Sequence, residues 1–225
     1  MGTLLLRLAA PLQSWGTDSK FDIRKTDRYP SKSGVMGMLA AALGYSRDAD
    51  MRALNALRFG VRMDQEGTLL RDYHTVRKDA KTSYVTNRYY LSDAVFLVGV
   101  ESNDIAFLKQ LEQAVQAPVF PLFLGRRSCP PTLPLCLGIR DCGLEQALRN
   151  EDWLCASWRQ HKENPHLTII MDCQQGESGA SQKRDVALSF DPAHRQYGFR
   201  LIKQYRSVDK TVIPDKTSHD PMAEL

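Results

Sequence analysis

The chain has 225 residues, enough to bury a core as one large domain or two small ones. Hydrophobic content of 43% beside 25% charged residues excludes a disordered or collagen-like chain. A net charge of +4 excludes a histone-like polycation, so any nucleic-acid surface has to be a local patch.

Residues 3–10, apolar except for Arg7, predict a buried first strand closed by Pro11. Trp15 follows in a short loop. Its place beside a strand end points to core packing more than to base stacking. Segment 20–32 is basic with interleaved aromatics: Lys20, Phe21, Arg24, Lys25, Arg28, Tyr29 and Lys32, diluted by Asp18, Asp22 and Asp27. Such a loop can bind RNA through phosphates and stacking, or it can be a solvated connection. Ser31 or Ser33 is placed to cap a helix over 35–43, small and apolar, that stops at Gly44. The N-terminus of that helix, with Lys32, makes a phosphate seat. It is not a P-loop, because the Gly-x-x-x-x-Gly-Lys-Ser/Thr order is absent.

A second short helix is expected over 48–57 and a strand over 57–63. Gly67 turns the chain back through 68–73. Segment 73–90 is polar, basic and rich in tyrosine, and its Thr, Val and Tyr content favours extended structure. It reads as a protruding β-hairpin. Tyr73, His74, Arg77, Lys78, Lys81 and Arg88 on it, with Arg71 just before, can meet phosphates and bases. Residues 91–100 form a strong strand. Ile105, Leu108, Leu111 and Val115 keep helical spacing over 104–116, with Asn103 or Asp104 as cap.

Next come two short apolar runs, 121–124 and 133–137, that read as strands or strand ends. Between them stand Gly125, Arg126, Arg127, Ser128, Cys129, Pro130 and Pro131. The glycine permits a positive φ and a close backbone approach to a ligand. The arginine forks suit phosphate oxygens and base faces. We read this loop as a grip on a nucleic-acid backbone, and a solvated basic turn is the plain alternative. The order strand, helix, strand, strand, helix, strand predicts an α+β, ferredoxin-like (RRM-like) domain over 1–142. A helix around 144–149 and strands at 167–171, 186–190 and 198–205 make 143–208 a small β-rich part. The tail 209–225 is polar and expected to be mobile.

Cys129, Cys136, Cys142, Cys155 and Cys173 are scattered and odd in number, so no disulfide framework is expected and a reduced, cytoplasmic compartment fits. No secretory signal and no run of about 20 apolar residues is present, so no membrane role is expected. His161, His166, His194 and His219 lack ligand-like spacing with the cysteines, so neither a metal nor another cofactor is expected.

Five pieces now stand in one order: Leu4 to Leu8 with Pro11-Leu12-Gln13-Ser14-Trp15-Gly16, Tyr29-Pro30-Ser31-Lys32-Ser33-Gly34, Leu70-Arg71-Asp72-Tyr73-His74-Thr75-Val76, Tyr90-Leu91-Ser92-Asp93-Ala94, and Leu124-Gly125-Arg126-Arg127-Ser128-Cys129-Pro130. Together they resemble the CRISPR-associated Cas-five family of the RAMP superfamily, in its type I-E Cascade form. The likeness is specific over about residues 1–140 and looser beyond. It implies a ferredoxin-like palm with an inserted hairpin thumb at about 73–90. It implies a subunit that holds the 5′ handle of the crRNA and caps a helical backbone, with CasC and the large subunit CasA as neighbours. Target DNA is then met through the complex, by guide pairing. The RNA-binding set implied in this way is Lys20, Arg24, Lys25, Arg28, Ser31, Lys32, Ser33, Arg71, Tyr73, His74, Arg77, Lys78, Lys81, Arg88, Gly125, Arg126, Arg127 and Ser128.

The rival reading is a metal-independent endoribonuclease that processes repeat RNA, with Tyr73, His74 and Lys78 as its site. Type I-E systems carry a separate processing subunit, CasE, so the resemblance implies binding without cleavage. An RRM-like binder acting alone is disfavoured, because residues 94–100 offer Phe96 as their one aromatic.

Overall fold

The computed structural model describes residues 1–16, 23–77, 79 and 82–210. In chain order it contains β1 (Gly2–Ala9), β2 (Leu12–Gln13), β3 (Ile23–Arg24), α1 (Lys32–Ala42), α2 (Arg52–Asn55), β4 (Arg58–Gln65), β5 (Thr68–Arg77), β6 (Ser83–Ser92) and β7 (Val95–Ser102). Then follow α3 (Ile105–Gln116), β8 (Cys136–Arg140), α4 (Leu144–Asn150), α5 (Ser157–Gln160), β9 (His166–Asp172), β10 (Ala180–Ser189) and β11 (Gln196–Asp209). The fold is mixed α+β, dominated by antiparallel sheet.

The main sheet has seven strands in the order β10-β11-β9-β4-β7-β1-β8. Every neighbouring pair in it is antiparallel. Its centre is buried on both faces, which is why β1 and β7 are continuous apolar runs and not alternating ones. Leu4, Leu6, Leu8, Phe96, Val98 and Val100 belong to the core under α1 and α3. Leu5 and Leu97 point the other way, into a smaller core with Leu144, Leu148, Ile169 and Met171 under α4. The seat of α4 is the cross-strand pair Gly60 and Gly99. A Cβ at Gly99 would come 2.5 Å from Leu144 Cδ1, so side chains there would push the helix off the sheet.

The C-terminal strands β9, β11 and β10 extend this same sheet outward from β4, so the β-rich part of the chain continues the first layer. Buried charges fasten the junctions. Arg62, with no exposed side-chain surface, makes a two-pronged ion pair with Asp64 at 2.7 Å and donates to the carbonyls of Leu148, Glu151 and Asp152. Arg200 on β11 bridges Asp185 on β10 and Asp172 on β9.

A second, smaller sheet holds β6 at its centre, with β5 antiparallel beside it, β2 antiparallel and β3 parallel. The hairpin β5–β6 runs from Thr68 to Ser92, longer at its root than the expected 73–90. Residues 91–100, expected as one strand, are divided at Asp93 and Ala94. Asp93 adopts φ 57° there, and the chain passes from the hairpin into the main sheet. The run 121–124 is not a strand. Pro121 removes a ladder donor from it, and β8 begins only after Pro134.

Candidate nucleic-acid interface

An open groove of about 1460 Å³ crosses the face of α1. Helix α1 supplies its floor, where Ser33, Gly34, Gly37, Ala40 and Ala41 leave little side chain above the backbone. The helix starts where sequence capping placed it: Ser31 Oγ accepts the Gly34 N–H at 3.3 Å. One bank is the segment 120–130, with Phe120, Phe123 and the arginine turn. The other is the β10–β11 ribbon, with Arg184, Phe190, Arg195 and Tyr197. Seven cationic side chains line the groove: Arg24, Lys25, Arg47, Arg126, Arg127, Arg184 and Arg195. Among the described residues no carboxylate lines it. In a wall of low dielectric, charges of one sign reinforce one another and raise the local concentration of an anionic polymer.

The arginine turn is built by the backbone. Leu124 N–H donates to Cys129 O at 2.7 Å, Cys129 N–H donates to Arg126 O at 2.9 Å, and Ser14 N–H donates to Leu124 O at 3.2 Å. Gly125 has φ +84°, as its position in the motif suggested. The close approach it permits is to the chain itself and not to a ligand. A Cβ would stand 1.6 Å from Ser14 O. The two arginines do different things. Arg126 stacks on Tyr90, 4.5 Å from the ring centroid, and donates to Arg24 O at 3.0 Å. Its Nη1 is buried with no acceptor among the described residues, and so is Nε of Arg88. A buried donor without an acceptor costs about 1–3 kcal/mol, which an incoming phosphate oxygen would recover. Arg127 is exposed on the groove wall and forms no ion pair among the described residues.

The structure distributes the sequence-predicted residues unevenly. Arg24, Lys25, Ser31, Ser33, Gly125, Arg126 and Arg127 meet in the groove. Arg28 and Ser128 are exposed outside it. Lys32 is corrected outright. Only 5% exposed, it donates through Nζ to Leu57 O at 2.7 Å and pairs with Asp172 at 3.0 Å. Its backbone N–H is taken by Asp185 at 2.9 Å, so a carboxylate of the chain itself occupies the helix N-terminus. The phosphate seat expected there does not exist. Trp15 is core, 1% exposed, as its position by a strand end suggested.

On the hairpin, strand alternation sorts the rest. Arg71, Tyr73 and Arg77 share one face, while His74, Arg88 and Tyr90 share the other. Tyr73 and His74 therefore diverge, and His74 Nε2 lies 2.6 Å from Asp72 Oδ2. Arg71 Nε donates to Asn87 Oδ1 at 2.9 Å. Lys20, Lys78 and Lys81 lie outside the described residues. Sequence reading missed Arg47, Arg184 and Arg195. Nothing local marked them, because only the pairing of β10 with β11 and the packing of β10 on α1 bring the last two to the groove. Among the described residues no cluster of three metal-ligating side chains occurs, and no helix is long and apolar enough to cross a membrane.

A family model described as CRISPR-associated protein (Cas_Cas5) matches residues 3–203. The chain belongs to the Cas5 family. This Cas5 chain is 42% identical over 157 residues to the CRISPR system Cascade subunit CasD of Escherichia coli K12, across 60% of this chain and 70% of that protein. Two solved structures are similar over nearly their whole length. One, described as a CRISPR RNA-guided surveillance complex, has a chain with TM-score 0.77 and 32% identity, covering 91% of this chain and 90% of its own. The other, described as a Cas protein crystal structure, has TM-score 0.73 and 38% identity, covering 92% and 95%. The family resemblance expected from the motifs of the first 140 residues is borne out, and the match runs well past them, to residue 203.

Proposed function

We propose that this protein is a non-catalytic RNA-binding subunit of a type I-E Cascade complex. It holds the 5′ handle of the crRNA in the α1 groove and caps the backbone beside CasC and CasA. Target DNA is engaged through the guide, not by this chain. The observation that carries this reading is the groove: seven cations, drawn from distant parts of the sequence, line one channel in which the described residues place no carboxylate. The relatives support the assignment to Cascade, since one bears that name and another belongs to an RNA-guided complex.

In this reading β1, α1, β4, β7, α3 and β8 form a ferredoxin-like palm. The strand order β4-β7-β1-β8, with α1 packed beside α3, supports that assignment. The hairpin β5–β6 is the thumb. A single-stranded handle suits this arrangement, because unpaired bases can splay onto aromatic side chains while arginines follow the phosphates. The divergence of Tyr73 and His74 argues against the endoribonuclease, whose acid and base would have to converge on one phosphate.

The test is a salt titration of RNA binding. Each single-strand phosphate contact contributes a slope of about −0.7 in log affinity against log salt. Replacing both Arg126 and Arg127 by alanine is expected to flatten the slope by about 1.4 and weaken binding. Unchanged affinity and slope would refute the groove as the RNA site. Metal-free cleavage of repeat RNA that disappears in His74→Ala would instead establish the nuclease.

A further inference from the structure

The reading above counts Arg184 and Arg195 among the cations of the groove but assigns the C-terminal third no task of its own, although it forms one whole bank. We infer that the β10–β11 ribbon is itself an RNA-binding element: Arg184 and Arg195 hold phosphates, and Phe190 with Tyr197 receives an unpaired base. This rests on the proposed RNA-binding function and adds the ligand's form, a single strand held from both sides.

Three observations carry the inference. The first is charge. Arg195 is exposed and forms no ion pair among the described residues, although Asp191 lies in the same turn. Among the described residues Arg184 reaches the Tyr197 carbonyl, at 3.4 Å, and the distant face of Phe199. Among the described residues no carboxylate neutralises either. The second is rigidity. Four separate ties hold this bank against the body of the protein. Asp185 accepts the Lys32 N–H, and Ala187 O accepts Asn55 Nδ2 at 2.7 Å. Lys183 pairs with Asp27 at 2.6 Å and lies 3.8 Å from the centre of the Tyr29 ring. A fixed bank contributes affinity because little ordering remains to be done on binding.

The third is shape. Phe190 packs the tip of its ring against Gly37 of the floor, so close that a Cβ there would come 3.1 Å from its Cζ. Tyr197 on the same bank and Phe120 and Phe123 on the other also line the groove, so aromatic rings suited to a base stand among the cations suited to its phosphate. A duplex hides its base faces and fits such walls poorly.

The experiment uses the full chain and a fluorescein-labelled single-stranded RNA of the repeat's leader-side end, the same RNA annealed to its complement, and a set carrying one abasic position each. The double variant Arg184→Ala with Arg195→Ala is expected to flatten the salt slope by about 1.4, as the Arg126 and Arg127 pair does. One abasic position is expected to lower affinity roughly five- to a hundredfold in the natural protein and to have no effect in Phe190→Ala. Both arginines are exposed or nearly so, and circular dichroism of each variant is expected to match the natural protein.

If the Arg184 and Arg195 variant binds normally while the Arg126 and Arg127 variant does not, the groove has a single working bank and the inference falls, with the proposed function intact. If neither pair matters, both fall. Equal affinity for the annealed duplex, or an abasic series without a sensitive position, overturns the base seat. Gly37→Ala, which crowds Phe190 without changing charge, is expected to lower affinity while leaving the salt slope unchanged.

Discussion

The two sheets of this protein are built on opposite terms. In the main sheet, β7 is buried along most of its length, and Leu97, Val98 and Val100 have no exposed surface. In the second sheet, β5 is exposed nearly throughout, and Leu69, Leu70, Val76, Tyr84 and Val85 are 43–52% exposed. The hairpin satisfies its backbone through ten cross-strand residue pairs but covers few of its side chains. A two-stranded ribbon alone is marginal in water. Among the described residues this one is anchored in its root half, where Tyr90 and Leu91 enter the core, β2 pairs with Leu91 and Ser92, and β3 adds a short parallel pairing at Asn87 and Arg88. Stability therefore resides in the main sheet. The hairpin retains apolar, aromatic and basic surface that a partner could cover, and its distal half contributes little to holding the molecule together.

Substitutions can break that contrast, and the largest effect is expected at the buried Arg62–Asp64 pair. Asp64→Ala would leave a guanidinium buried with its two-pronged partner gone. Removing one member of such a pair costs about 3–5 kcal/mol. Urea unfolding is expected to show that loss, with the unfolding slope unchanged. A loss below about 1 kcal/mol would mean that water reaches the site, and that the main sheet is less closed than its burial indicates.

The same class of interaction has a pH signature at the edge of the sheet, on β10. Burial pushes the Asp185 carboxyl up, but the Arg200 fork, its charge and the Lys32 N–H outweigh burial and hold the pKa below the usual value. A carboxyl whose folded pKa is depressed contributes stability above its unfolded pKa, about 3.9, and loses that contribution as pH falls through the folded value. Acid unfolding below about pH 4 is thus expected to be steeper in the natural protein than in Asp185→Asn. Identical acid limbs would show that Asp185 is not the linked group.

A smaller, local effect is expected at the arginine turn. Gly125→Ala combines a left-handed backbone with a Cβ that overlaps Ser14 O, so the turn has to move. Such strain amounts to about 1–3 kcal/mol. RNA binding is expected to fall more than this stability loss alone would produce, because Arg126 and Arg127 are displaced with the loop. Stability and binding that decline in step would place the turn in the scaffold and outside the site.

These cases also indicate what sequence can reveal. The sheet core was legible because double burial writes itself as unbroken apolar runs, as at residues 4–8. Helix caps were legible because Ser31 and Asp104 act on backbone within three residues. Gly125 was legible as a positive-φ position, but what it approaches was not, since Ser14 lies more than a hundred residues away. Lys32 misled for the same reason. A lysine at a helix start looks like a phosphate seat until Asp172 and Asp185 arrive from β9 and β10. The second bank of the groove was invisible, because Arg184 and Arg195 become neighbours of α1 only through pairing across the sheet. The motifs that carry the resemblance lie within residues 4–130, whereas Arg184 and Arg195, which complete the groove, lie beyond residue 180.

The smallest stability effect is expected at the hairpin face. Tyr73 is 62% exposed and shares its face with Arg71 and Arg77. Tyr73→Ala is expected to change unfolding free energy by no more than about 0.5 kcal/mol, as exposed substitutions do. Its effect on RNA binding should still be measurable: the loss of one aromatic–base stack is worth about 1–3 kcal/mol. His74→Ala, on the opposite face, is the matched control. It removes the exposed pairing with Asp72 and is expected to leave stability within the same margin. If Tyr73→Ala impairs binding and His74→Ala does not, the RNA lies along the Arg71–Tyr73–Arg77 face. The reverse result places it along the His74–Arg88–Tyr90 face, beside the buried, unpaired nitrogens of Arg88 and Arg126. Strand alternation makes these outcomes mutually exclusive for a ligand that touches one face, so a pair of single substitutions decides which side of the hairpin closes over the strand.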